Sequence, residues 1–272
     1  MSDTGYDPRV ARVEIERVRA GRRERAPDEL AVEEPLEIRV DGEALAVTMR
    51  TPGDDEDLAA GFLAGEGLIE GPTDIAAIGP TEDFAANIVE VRTRAGLRRD
   101  PAGERRFYLT SSCGICGKGA LEFVRQALPT DRRDQETAIA PELVLAAPER
   151  ARAEQHAFER TGGLHATALF ESAGELLVLR EDVGRHNAMD KAIGSQLLAG
   201  RFPLEGAFAQ VSGRASFELV QKAALAGLAG LVAVGPPSTL AVELARERGM
   251  LLCGFVRGDS LNLYAGSERL RA

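Results

Sequence analysis

The strongest constraint on the fold is a regular alternation that begins at Gly162. Apolar runs of strand length occur at 165–170, 176–179, 206–211, 231–234, 251–256 and 261–264. Between them lie stretches with helical spacing at 187–198, 216–229 and 238–248. Strands that alternate with helices need crossover connections. Those crossovers are right-handed and produce a mostly parallel sheet covered by helices. The chain is therefore expected to be α/β. Apolar residues make up 44% of its 272 residues, enough to fill a core and too many for a disordered chain.

The first half has a different texture. Leu36–Val40 and Ala44–Met49 alternate apolar and polar residues around Asp41-Gly42, the signature of a β-hairpin. The acidic run Asp54–Asp57 precedes Leu58-Ala-Ala-Gly-Phe-Leu-Ala, where a helix N-terminus favours negative charge. Asn87–Thr93 and Arg106–Thr110 read as further strands. The expected organisation is a flexible tail over 1–32, with one edge strand at Arg12–Glu16. A smaller β-rich unit follows over 33–128, then a linker with one charged helix (Glu142–Arg160) over 129–161, then the α/β unit over 162–272.

Charge and cysteine content exclude several classes. The net charge is −10, which argues against a general nucleic-acid binder. All basic residues but Lys118, Lys191 and Lys222 are arginines, so any anion site must use guanidinium forks and backbone N–H groups. Three cysteines do not make a secreted disulfide framework. The polar start Met-Ser-Asp-Thr-Gly-Tyr is no signal peptide, and no run reaches the ~18 apolar residues of a membrane span. These features predict a cytoplasmic protein with no membrane partner.

The informative loop is Thr110-Ser-Ser-Cys113-Gly-Ile-Cys116-Gly-Lys118-Gly. It lies between a predicted strand and a helix marked by Leu121, Val124 and Leu128. A helix N-terminus and Lys118 both favour thiolate over thiol. Three roles fit such a pair: buried thiols, half a zinc site, or reactive sulfur. A glycine-rich loop is a poor place to hide sulfur. A zinc site needs further ligands, and there is no second C-x2-C or H-x3–5-H. Cys253 is the remaining candidate, but it sits in Leu251-Leu-Cys-Gly-Phe and reads as a buried strand residue. Reactive sulfur is the reading that the residues favour. Gly117-Lys118 is followed by Gly119, so this is no Walker A loop.

In the second half the strand-to-helix connections are unusually polar: Arg180–Asn187, Ser212–Ser216, Gly235–Thr239 and Arg257–Ser260. Parallel strands bring such loops to one sheet edge, where open α/β sheets bind ligands. Helix N-terminal N–H groups with Arg185 and Arg214 then suit a phosphate-rich ligand. Asp182 is a candidate partner for His186, for a ribose hydroxyl or for Arg185. His165 and His186 share this platform and are candidates for proton transfer.

These segments resemble one family. Thr51-Pro-Gly-Asp-Asp-Glu-Asp-Leu, Ser112-Cys-Gly-Ile-Cys-Gly-Lys, Gly163-Leu-His-Ala-Thr-Ala, Glu181-Asp-Val-Gly-Arg-His-Asn-Ala-Met-Asp-Lys191, Ser212-Gly-Arg-Ala-Ser and Gly254-Phe-Val-Arg-Gly look like the FdhD family of formate dehydrogenase accessory sulfurtransferases. The resemblance implies a persulfide carrier at Cys113 with Cys116 as its companion. It implies sulfur passing from a cysteine desulfurase to the molybdenum cofactor, bis-molybdopterin guanine dinucleotide, for the catalytic subunit of formate dehydrogenase. It maps a cofactor-binding segment onto Phe255, Val256, Arg257, Gly258, Asp259 and Ser260, and the platform residues His165, Asp182, Arg185, His186, Ser212 and Arg214 are assigned to the same ligand. A cytidine deaminase-like C-terminal half and a homodimer are also implied, with no metal of the chain's own. Zinc deamination is not: His165 is followed by Ala-Thr, and Ser112 stands where the deaminase signature has proline. The alternative is a non-catalytic chaperone for the cofactor, with a structural zinc at the cysteine pair.

Overall fold

The computed structural model describes residues 7–81, 87–98, 109–110 and 137–271. The α/β class is as predicted. Six strands form one sheet: β8 (His165–Glu171), β9 (Leu176–Asp182), β10 (Ala207–Val211), β11 (Gly230–Ala233), β12 (Leu251–Arg257) and β13 (Ser260–Ala265), in the order β13-β12-β11-β10-β8-β9. The parallel pairs β10–β11 and β11–β12 form its centre, and antiparallel pairs flank them on both sides. A second sheet has the order β5-β6-β3-β4-β7, built from β3 (Glu34–Val40), β4 (Glu43–Arg50), β5 (Ile75–Pro80), β6 (Ile88–Thr93) and β7 (Leu109–Thr110). No helix among the described residues is long and apolar enough to cross a membrane.

The predicted β3–β4 hairpin is present. Asp41 and Gly42 both have positive φ (51° and 86°), the backbone of the two-residue turn that matches strand twist. The tail reads differently from expectation. Residues 10–31, predicted as a frayed segment with one short strand, pair as a ribbon of β1 (Val10–Arg19) and β2 (Arg22–Ala31). Its turn is the same kind, with φ of 48° at Ala20 and 78° at Gly21. Alanine at the first turn position is no sequence signal, because a methyl side chain disfavours positive φ.

One shared core joins the two halves. Helix α1 (Asp55–Gly65) packs on β5 and β6 on one side and on α4 (Arg185–Leu198) and α5 (Phe217–Leu225) on the other. Leu36, Ile38, Leu58 and Leu63 from the first half meet Leu169, Met189, Ile193 and Leu219 from the second in one apolar cluster. Helix α6 (Thr239–Glu247) borders the same cluster. The opposite face of the six-stranded sheet is covered by α2 (Pro141–Ala153) over Phe170, Phe208, Val232 and Cys253. The single helix predicted over 142–160 is two, α2 and α3 (His156–Thr161). The break is imposed from a distance. The Glu181 carboxylate accepts from the N–H groups of Ala157 (3.0 Å) and Phe158 (2.8 Å) at the start of α3.

Candidate functional site

Strand direction fixes the site. β10, β11 and β12 run parallel, and β9 runs the same way because it is antiparallel to β8, itself antiparallel to β10. The ends of β9, β10, β11 and β12 and the start of β8 therefore share one sheet edge. The four polar loops meet there, with the N-termini of α4, α5 and α6, as the alternation predicts.

The helix caps divide in three ways. Ser238 caps α6 by accepting from the Ala241 N–H at 3.2 Å. Gly184 precedes α4 and offers no side chain. Ser216 precedes α5, but its hydroxyl lies 3.3 Å from His186 Nε2. The same imidazole nitrogen lies 3.6 Å from a Glu218 carboxylate oxygen. That contact holds the Glu218 carboxyl down to about 2, helped by Ser216 and the Glu218 N–H. Glu218 was absent from the sequence prediction. Its only local signal is an acidic residue in the first turn of a helix. His165 is half-buried, and burial, followed by the charges of Arg185 and His186, pushes its pKa down.

Arg214 is exposed at the edge and has no partner among the described residues. Arg185 is half-buried, and its Nε lacks a hydrogen-bond partner. Gly235 lets the Arg214 strand end approach closely, since a Cβ there would meet Arg214 Cγ and Gly213 O at 3.1 Å. Ser212 is tied up internally. Its hydroxyl accepts from Ala166 N–H at 2.9 Å, and its own N–H bonds Ala166 O at 3.0 Å. Asp182 bonds neither His186 nor Arg185, the partners weighed from sequence. Its carboxylate is fully buried against Lys191 Nζ at 2.8 Å.

The comparisons decide the family at this point. A model of the FdhD/NarQ family matches residues 31–271. The chain belongs to the FdhD/NarQ family. A sulfur carrier protein FdhD of Streptomyces coelicolor is 50% identical over 267 residues, covering 95% of each chain. One from Mycolicibacterium paratuberculosis is 48% identical, covering 96% of this chain and 98% of that one. A crystal structure from Desulfotalea psychrophila, described as a formate dehydrogenase accessory protein, superposes with a TM-score of 0.75 at 23% identity. It covers 97% of this chain and 100% of that one, a likeness of fold.

The segment Phe255–Ser260 closes the same sheet edge. Phe255 has φ of 53° beside a register shift in β12, the residue is 39% exposed, and its N–H bonds Gly235 O at 3.2 Å. A bulky side chain at positive φ is a strained outlier, and such strain concentrates at functional sites. Val256 points into the core at 0% exposure, so its side chain does not line the edge. Arg257, Gly258, Asp259 and Ser260 form an exposed turn, in which the Ser260 hydroxyl bonds Arg257 O at 3.2 Å.

Cys253 is the buried strand residue predicted. It lies at 0% exposure, and burial pushes its thiol up to about 12. Cys113 and Cys116 lie outside the described residues. Among the described residues no cluster of three or more His, Cys, Asp or Glu stands ready for a metal ion. A cleft of about 460 Å³ beside β9 is lined by Arg9, Pro52, Asp54, Arg180 and Glu181, and by none of the predicted site residues. Its guanidinium groups already pair internally, Arg9 with Asp7 at 2.9 Å and Arg180 with Asp57 at 2.8 Å.

Proposed function

We propose that this chain is a sulfur carrier serving formate dehydrogenase. Cys113 takes persulfide sulfur from a cysteine desulfurase and delivers it to bis-molybdopterin guanine dinucleotide, the cargo held along the loop edge. In this reading the chain acts as a sulfurtransferase in molybdenum cofactor maturation, in the cytoplasm and as a homodimer, and the formate dehydrogenase catalytic subunit receives the product. The observation that carries the reading is the motif Ser112-Cys-Gly-Ile-Cys-Gly-Lys118 in a chain half identical to a protein named sulfur carrier.

The loading step balances without a redox partner. The Cys113 thiolate attacks the outer sulfur of the donor persulfide. The donor S–S bond breaks, its cysteine leaves as thiolate, and Cys113 carries S–SH. Cys116 then either relays that sulfur or attacks Cys113, releasing hydrosulfide and leaving a disulfide. Position supports the cargo site. Thr110 pairs with Val47, four residues before Thr51, and Thr51 N–H bonds Asp182 beneath the platform at 3.1 Å. Cys113 follows Thr110 by three chain positions, a reach of at most about 10 Å. Arg185, Arg214, Arg257 and the α4 N–H groups suit the diphosphates of the guanosine arms.

Mass spectrometry after incubation with a desulfurase and cysteine tests the carrier step. The chain is expected to gain one sulfur. Cys113→Ala is expected to gain none and to leave formate dehydrogenase inactive, with an unchanged melting curve. Sulfur gain or full activation by Cys113→Ala overturns the assignment. Stoichiometric zinc with no sulfur gain favours the chaperone alternative.

Phe255 tests the cargo site with GDP as the probe. An exposed ring at this edge is placed to stack a guanine, worth about 1–3 kcal/mol per base. Phe255→Gly removes the ring and relieves the strained backbone, about 1–3 kcal/mol in such positions. The variant is expected to melt higher than the parent and to bind GDP at least fivefold more weakly in calorimetric titration. Equal GDP affinity in both chains removes Phe255 from the site.

A further inference from the structure

The β1–β2 ribbon contains no buried residue along its length. Its base is pinned to the body by Arg160, which pairs with Glu29 at 2.9 Å, and by Arg9, which reaches Glu181 at 3.4 Å. Beyond that base the strands run out as a two-stranded arm. The cross-strand register places Val13, Ile15, Ala26 and Leu30 on one face. Leu30 is 47% exposed, and Val13, Ile15 and Ala26 are only half-buried. A lone two-stranded hairpin is marginal in water, and an apolar stripe only partly covered adds to that.

The tip adds charge to the problem. Residues 17–25 carry Arg17, Arg19, Arg22, Arg23 and Arg25 against Glu24 alone, a net of +4 in a chain of −10. Arg19 stands directly opposite Arg22, a like-charge pair that destabilises the ribbon. Arg23 reaches Glu16 at 3.3 Å, while Arg17, Arg19, Arg22 and Arg25 have no partner among the described residues. A positive tip on a strongly negative body is complementary to the body of another copy. The ribbon also lies ahead of the stretch that the family model matches, residues 31–271.

We propose that the ribbon is a clasp for a second copy of this chain, laying its Val13–Ile15–Ala26–Leu30 stripe and its arginine tip on that copy's acidic surface. The size fits. Ten residues at ~3.3 Å each make an arm about 33 Å long and about 10 Å wide. Two arms related by a two-fold axis, counted on both surfaces, cover roughly 1,300 Å², within the range of a specific dimer.

The proposal rests on the self-association part of the proposed function, and sedimentation velocity on the full-length chain separates the two. The parent is expected to be a dimer at micromolar concentration. Arg19→Glu/Arg22→Glu/Arg23→Glu is expected to weaken the dimer at least tenfold, and Ile15→Asp/Leu30→Asp to leave a monomer. Both variants keep the far-ultraviolet spectrum and melting temperature of the body. A parent that stays monomeric at tens of micromolar overturns self-association and clasp together. A dimer indifferent to both variants overturns the clasp alone. A monomer whose tip arginines instead drive binding to a DNA duplex also overturns it.

Discussion

Replacing Gly194 with alanine is expected to lower the melting temperature of this chain by ~10 °C or more. A Cβ at Gly194 would fall 1.8 Å from the carbonyl oxygen of Asp57 and 2.7 Å from Gly61 N. The contact is reciprocal. A Cβ at Gly61 would fall 1.8 Å from Asp190 O and 2.8 Å from Gly194 N. Helices α1 and α4 therefore touch backbone to backbone, with no side chain between them to move aside. Ordinary overpacking costs about 1–3 kcal/mol because neighbours can rotate away. Here the helices themselves must part, and their contact joins the two halves of the core, so the expected cost is above about 4 kcal/mol. Gly61→Ala is expected to cost as much. The double variant should cost clearly less than the sum, because one separation of the helices accommodates both methyls. Thermal melts of the three chains measure this. A single variant that melts within a degree or two of the parent contradicts a backbone contact.

The parts of this architecture that were legible in sequence are those with local signals. Asp41-Gly42 marks its hairpin because both residues tolerate positive φ, whereas Ala20-Gly21 makes the same turn without announcing it. The alternation after Gly162 predicted the sheet edge, because strand direction carries all four polar loops to one side. What escaped was set by distant partners. Helix α3 starts where it does because Glu181, on a neighbouring strand, receives its first N–H groups. Glu218 joins the platform through His186, thirty-two residues away in the chain, and no spacing rule links them. Sequence offers Asp182 only its immediate neighbours Arg185 and His186 or a ligand's ribose hydroxyl. Its true partner, Lys191, lies on the inward face of α4, which only the packing of that helix reveals.

That pairing carries the second large effect. The Asp182 carboxylate has four internal partners: Lys191 Nζ (2.8 Å), Gly184 N–H (2.8 Å), Thr51 N–H (3.1 Å) and Asn187 Nδ2 (3.1 Å). Lys191 also donates to Thr51 O at 2.7 Å, and Asn187 to Met49 O at 2.7 Å. The Thr51 hydroxyl accepts from Val183 N–H at 3.1 Å. The loop after β4 and the loop after β9 are thus one hydrogen-bonded unit, closed by a wholly buried ion pair. Lys191→Met leaves the carboxylate buried without its counter-charge, and Asp182→Asn leaves the ammonium in the same position. Each is expected to cost about 3–5 kcal/mol. The double variant Asp182→Asn/Lys191→Met buries no charge, so it should be more stable than either single variant. Denaturant melts of the four chains form the cycle, and a double variant as costly as the sum contradicts a paired site. The platform responds as well. Arg185 and His186 begin the helix that this unit anchors, so both single variants should weaken GDP binding although neither side chain reaches the exposed edge. Lys191→Met with parental stability and parental GDP affinity would mean that the loop edge is held by something other than this pair.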